Sequence, residues 1–195
     1  MINFQKFLKH HTLRMYDKEK KLFPHGHNGL YKDLETPLRN NAHYLCSLNY
    51  LYKTGWTEAK QYIEFILGHI ESFDGKFNYK FRKQINKDES NGLIGIAWLI
   101  EGICSCLENG FINKPIIARL SKILSNFNID ESYGVWTNRL EPNGLKLGID
   151  RTLNHQIWFT AMAARLNCHL NEPKLAKKIR LFVSHFNRTR KLNSS

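Results

Sequence analysis

The chain has 195 residues, 42% of them hydrophobic, 12% aromatic and 24% charged, with a formal net charge of +12. A domain of that length hides roughly 70% of its unfolded surface, and the aromatic content excludes a disordered chain. No apolar run approaches the roughly 20 residues that a membrane-spanning helix needs.

Residues 2–20 carry Phe4, Phe7, Leu8 and Leu13 at helical spacing and are expected to form a leading amphipathic helix. Charges fill the place where a signal peptide needs its apolar segment, which argues against export by that route and for a cytoplasmic protein. Pro24-His25-Gly26-His27-Asn28-Gly29 breaks the pattern, and Gly29-Leu30-Tyr31 reads as a short extended piece. A helix is expected from Arg39 to Lys53, ended by Thr54-Gly55. Thr57 suits the cap of the next, which carries Ala59, Ile63, Ile66, Leu67 and Ile70.

Asp74-Gly75 closes that helix and opens a long loop over 74–90 with a basic run, Lys76, Lys80, Arg82, Lys83 and Lys87. The clearest helix runs from Asn91 to near Asn109-Gly110, with apolar residues at 93, 96, 97, 100, 103, 104 and 107. Glu101 interrupts it and reads as a boundary residue rather than an inward acid. Another helix follows Pro115, and a second long loop, 128–152, holds Tyr133-Gly134-Val135-Trp136. A helix is expected over 153–168. The last opens at Glu172-Pro173, proline being welcome in a first turn. From Lys174 onward there are seven basic residues and no acidic one. The expected organisation is one domain: a leading helix in 1–24, three helical hairpins in 25–187, and a basic flexible tail in 188–195.

The organisation repeats. Each unit has a Gly-x-aromatic piece, a polar loop, a helix that begins with Asn, a short turn and a second helix. The pieces are Gly29-Leu30-Tyr31, Gly75-Lys76-Phe77 and Gly134-Val135-Trp136. Such periodicity means stacked supersecondary units. The long loops fall on one face, where function concentrates. The four cysteines, Cys46, Cys104, Cys106 and Cys168, lie in apolar helical patterns without a C-x-x-C spacing, so they read as reduced core residues. His25 and His27, with Asp33 and Glu35, match no zinc spacing. No phosphate-cradling glycine loop is present. Neither metal nor cofactor is expected.

This rhythm resembles α/α-toroid carbohydrate-active proteins: six-hairpin glycosidases, unsaturated glucuronyl hydrolases, some polysaccharide lyases and N-acylglucosamine epimerases. Ser90-Asn91-Gly92-Leu93-Ile94-Gly95-Ile96-Ala97-Trp98 is similar to the Arg-Gly-Gln-Ala-Trp segment of unsaturated glucuronyl hydrolases, with Ile96 in place of the Gln. The resemblance implies an all-α fold, antiparallel hairpins forming part of a toroid. Three hairpins are half of such a ring, so the expectations are a fragment of a longer chain, a truncated relative, or a chain that closes the array by self-association.

The densest polar segment is Gly148 to Trp158. Asp150, Arg151, Asn154, His155 and Gln156 crowd a loop-to-helix junction, with Trp158 one turn in. A helix N-terminus favours anionic or polyhydroxylated ligands, and a tryptophan face packs on a sugar ring. Asp88 precedes Asn91 much as Asp150 precedes Asn154, and a carboxylate pair is the minimum for glycosidic acid/base chemistry. The expected catalytic set is therefore Asp150, Asp88, His155 and His43. The expected sugar-binding set is Arg39, Asn41, Asn91, Trp98, Trp136, Arg151, Asn154, Gln156 and Trp158. The resemblance implies an oligo- or polysaccharide partner, an acidic surface glycan among the candidates, and hydrolase, lyase or epimerase chemistry. The alternatives are a non-catalytic scaffold or glycan-binding remnant, and an RNA- or anion-binding helical repeat that uses the basic C-terminal segment. Nucleic acid ranks lower because no repeated base-reading code is visible.

Overall fold

The computed structural model describes residues 3–23, 31–33, 38–71, 79–81, 84–85, 93–111, 114–137, 149 and 152–192. Seven helices stand among them: α1 (Phe4–Met15), α2 (Leu38–Lys53), α3 (Ala59–Glu71), α4 (Leu93–Leu107), α5 (Lys114–Ser125), α6 (Leu153–Leu170) and α7 (Pro173–Leu192). Two small antiparallel sheets accompany them. The first is β1 (Tyr31–Asp33), β2 (Tyr79–Phe81) and β3 (Gln84–Ile85); the second is β4 (Ile129–Asp130) and β5 (Val135–Trp136). β1 pairs with β2, Tyr31 opposite Phe81, so the long connections before α2 and α4 meet on one face.

The helices start and stop for local reasons. Asn3 caps α1, its Oδ1 accepting from Lys6 N–H at 3.1 Å. The helix stops at Met15, short of the expected residue 20, because Asp17 Oδ1 takes the N–H groups of Glu19 and Lys20 and forms a turn. Thr57 lies in a turn before α3 rather than at its cap. Asn171 ends α6 in the left-handed conformation, φ 53°, which asparagine tolerates; Pro173 then opens α7. α7 continues through Leu192, so residues 188–192, expected in a flexible tail, extend the last helix.

α2 packs against α4, and α4 against α6; α3 backs α2 and touches α5, and α7 backs α6. The result is two rows of helices. Inner helices run parallel: His43 meets Trp98, Cys46 meets Ser105, and Asn49 meets Cys106 and Asn109. α4 is central, with Leu93, Ile96, Ala97, Leu99, Ile100, Cys104 and Cys106 all 0% exposed. Gly102 lets α2 come close, since a Cβ there would lie 2.5 Å from the Ala42 carbonyl oxygen. No described helix is long and apolar enough to cross a membrane.

Candidate functional site on the inner helices

α4 is apolar nearly all round, as suits a helix enclosed by neighbours. Its half-buried residues are Trp98, Glu101 and Ser105. Their spacings of three and four put them on one stripe, and that stripe is the surface α4 presents. α2 matches it with exposed His43, half-buried Cys46 and Ser47, and exposed Tyr50. α6 matches it with Trp158 and half-buried Arg165. His43, Trp98 and Trp158 are each the sixth residue of their helix. The His43 and Trp98 rings stand 5.1 Å apart at 55°, and Trp158 is 36% exposed. The inner row therefore carries aromatic rings at one level near the loop face and polar groups below them.

The lower level is charged and bonded. Arg165 donates from Nε and Nη2 to the two carboxylate oxygens of Glu108 at 2.8 and 2.7 Å, joining α6 to the end of α4. That fork holds the Glu108 carboxyl below its ordinary value and pushes the Arg165 guanidinium up. The Ser105 hydroxyl lies 3.8 Å from Cys46 Sγ. Burial raises the Cys46 thiol, the Ser105 bond offsets part of that, and the nearby Glu101 charge adds to it. Burial pushes Cys104 and Cys106 up to about 12, so neither is a ready nucleophile. Cys168 is exposed, against the expectation of a core residue. Among the described residues, no group of three or more His, Cys, Asp or Glu side chains could hold a metal ion.

Three of the expected sugar contacts are instead built into the frame. Trp136 is 0% exposed. Its indole N–H donates to Thr160 Oγ1 at 2.8 Å, and its ring meets Phe159 edge-on. Gln156, 2% exposed, accepts from Trp136 N–H and donates to Trp136 C=O, both at 2.9 Å. Asn41, 0% exposed, does the same to Phe23, accepting from its N–H at 3.0 Å and donating to its C=O at 3.3 Å. Asn41 and Gln156 are both the fourth residue of an inner helix. Each clamps the backbone of an aromatic residue that arrives from the preceding segment. The fourth residue of α4 is Ile96, which has no amide to do this. These buried pairings satisfy groups that would otherwise be costly to leave unpaired.

Of the other expected site residues, Asn154 is exposed and His155 half-buried in the first turn of α6. Arg39 lies in the first turn of α2. Asp150, Asp88, Asn91 and Arg151 lie outside the described residues. The structure thus gathers His43 and Trp98 and aligns Trp158 with them. Sequence reasoning read Glu101 as a boundary residue and passed over Ser105 and the Glu108–Arg165 pair. A signal for the stripe existed: Glu101 is the sole charge within Leu93–Leu107 and sits three residues after Trp98.

No family model matches the chain. It is 29% identical over 164 residues to archaeal glycosylation protein Q of Haloferax volcanii, an overlap of 82% of this chain and 43% of that protein. Among solved structures it is similar to the crystal structure of D-mannose isomerase, with a TM-score of 0.61 and 14% identity, over 95% of this chain and 53% of that one. The likeness shows the fold: antiparallel helical hairpins forming part of an α/α toroid. The chain spans under half the length of the curated relative and about half that of the isomerase.

Proposed function

We propose that the inner wall of α2, α4 and α6 binds a saccharide, and that the protein serves glycan assembly or modification. The observation that carries this reading is the stripe on α4. A helix enclosed on its other sides presents Trp98, Glu101 and Ser105, flanked by His43 and Trp158 at the same level. Aromatic faces pack on the C–H faces of sugar rings, while a carboxylate and a hydroxyl fix the orientation of sugar hydroxyls. The names of the two similar proteins, a glycosylation protein and a sugar isomerase, support the same substrate class.

The chemistry proposed for the wall is acid/base work at a sugar carbon or glycosidic oxygen. Asp150 and Asp88 remain the proposed carboxylates, with His43 and His155 as proton carriers. Arg39, Asn91, Arg151 and Asn154 belong to the proposed binding set. Asn41, Gln156 and Trp136 are withdrawn from it, because their polar groups are buried in pairings with the frame. Glu101 joins the set as a hydrogen-bond acceptor for the bound sugar.

The test is a titration of the chain with D-mannose, D-glucuronate and short oligomers of each, followed by tryptophan fluorescence and thermal unfolding. One sugar class is expected to raise the midpoint, since a ligand stabilises the state that binds it, and to change the emission of Trp98 and Trp158. Trp98→Ala should abolish the response, and Glu101→Gln should weaken it about tenfold, the worth of one charge-assisted hydrogen bond. A midpoint and emission that no sugar moves would overturn the reading. Turnover retained in Asp150→Asn would remove that carboxylate from the mechanism.

A further inference from the structure

The repeat places the same kind of hollow twice on the outer helices. One lies between α3 and the α4–α5 turn, against Lys60, Glu64, Gly68, Glu71 and Asn109. The other lies between α5 and the α6–α7 turn and continues onto the start of α7. Its two parts, of about 570 and 280 Å³, share Ser121, Ser125, Leu170 and Glu172. The larger part falls in the size range of small-ligand sites.

The two hollows have like frames and unlike charges. α3 lines the first with residues 60, 64, 67, 68 and 71, and α5 lines the second with residues 114, 117, 118, 121, 122 and 125. Each set is one stripe of a helix. With Lys60 matched to Lys114, Glu64 falls against Ala118, Gly68 against Lys122 and Glu71 against Ser125. In the first hollow Lys60 pairs with Glu64 at 3.8 Å. The second holds Lys114, Lys122, Lys174 and Lys178, with Glu172 the one acid of its described lining. A basic composition favours neither hollow, so it does not account for the difference.

The α7 side of the second hollow is fixed. Lys178 is half-buried and donates to the Phe127 carbonyl at 2.6 Å. Burial, and then the Lys174 charge one turn earlier, lower its pKa, the cost of like charges at this spacing on a helix. An anion beside the two ammonium groups offsets that cost. Ser121 adds a hydroxyl that can donate to it, and Ile117 and Leu170 add apolar surface.

We infer that this second hollow binds the diphosphate group of a small organic ligand. Four cations against one carboxylate call for several negative charges close together, which a diphosphate supplies and a single uronate carboxylate does not. Lysine suits phosphate as a compact point charge, whereas the planar fork of arginine matches a carboxylate as well. The described lining contains no arginine. It contains no Phe, Tyr or Trp either, so a nucleic-acid strand finds no ring on which to stack its bases. The organic part rests on Ile117 and Leu170. This site stands apart from the inner wall and does not depend on what that wall binds.

The test is calorimetric titration of the 195-residue chain with inorganic pyrophosphate. A second arm is flotation with phosphatidylcholine vesicles carrying a long-chain alkyl diphosphate, with plain vesicles as the control. Saturable binding of pyrophosphate is expected for a soluble ligand, and capture by the doped vesicles alone for a membrane-borne one. Lys122→Gln combined with Lys174→Gln should weaken binding about tenfold, the worth of two exposed ion pairs. Ala118→Glu combined with Ser125→Glu gives this hollow the acids of the other and should abolish binding. Lys6→Gln combined with Lys18→Gln removes the same charge from exposed positions elsewhere and should change nothing. All of these positions are exposed, so circular dichroism should stay the same. Citrate, highly charged but without a phosphoryl group, should not displace the probe at equal concentration. Failure of both probes to bind would overturn the proposal. So would equal weakening by the Lys6 and Lys18 pair, or displacement by citrate.

Discussion

α4 and α6 share one register and differ in how far they are enclosed. Both open beside a long connection, both place a tryptophan at the sixth position, and both point a polar or charged group from the turns below it. α4 is enclosed except along Trp98, Glu101 and Ser105. α6 additionally exposes Leu153 and Ile157, whose α4 counterparts are sealed. The difference lies in the chemistry of what is left exposed. On α4 it is an indole with a carboxylate and a hydroxyl; on α6 an apolar stripe is exposed as well, and no described helix covers it.

The sharpest way to test that contrast is to truncate one residue on each helix. Ile100→Ala empties a position that is 0% exposed in α4 and should cost about 3 kcal/mol, the usual loss for a buried aliphatic side chain. Ile157→Ala, at 42% exposure, should cost under about 1 kcal/mol. Chemical denaturation of both variants at low protein concentration checks this. Equal losses would mean that α6 is as enclosed as α4.

Gly102→Ala comes next. The tenth residue of α4 is glycine, where the α2 backbone leaves no room; the tenth of α6 is half-buried Met162. A methyl placed 2.5 Å from the Ala42 carbonyl must push the helices apart, which should destabilise by about 2 kcal/mol. Met162→Ala should not overpack anything, and a midpoint falling further for it than for Gly102→Ala would refute the close approach.

The clamps sharpen the comparison from another side. Gln156→Ala leaves both backbone groups of buried Trp136 without their side-chain partner, and about 2 kcal/mol of stability should go. Thr160→Val removes the acceptor from the Trp136 indole N–H alone and should cost about 1 kcal/mol. Near-ultraviolet circular dichroism would follow the Trp136 environment in both variants, and an unchanged spectrum in Gln156→Ala would deny the clamp its role.

Periodicity made the helices legible. The apolar positions from Leu93 to Leu107 recur at 3.6-residue spacing because every turn of α4 is packed, and the repeat of loop, helix, turn and helix announced stacked hairpins. What periodicity could not show was which way a polar residue faces. Asn41 and Gln156 looked like ligand contacts because they are amides near a helix start. Their targets, Phe23 and Trp136, lie 18 and 20 residues away, a separation that no local pattern encodes. Trp136 carried the same ambiguity: an indole suits a sugar or a core, and Thr160 decided for the core. Glu101 is half-buried, as a boundary residue is; what periodicity did not bring out is that Trp98 and Ser105 flank it on one stripe.

The smallest effect concerns the ion pair that ties the two helices together. Arg165 holds the Glu108 carboxyl below its ordinary value of 4.5, chiefly through their hydrogen bond. A carboxylate whose folded value is depressed contributes stability above its unfolded value and loses it as pH falls through the folded one. The side chains are 32% and 40% exposed, so solvent screening keeps the contribution under about 1 kcal/mol. The expected result is that wild type and Glu108→Gln differ by a few tenths of a kcal/mol near neutral pH and converge as the solution is acidified below 4.5. Urea titrations of both proteins across that range would show it. A difference that persists in acid would mean that Glu108 packs α4 against α6 by shape rather than by charge. The link between a sealed helix and an unsealed one would then owe nothing to the pairing of Glu108 with Arg165.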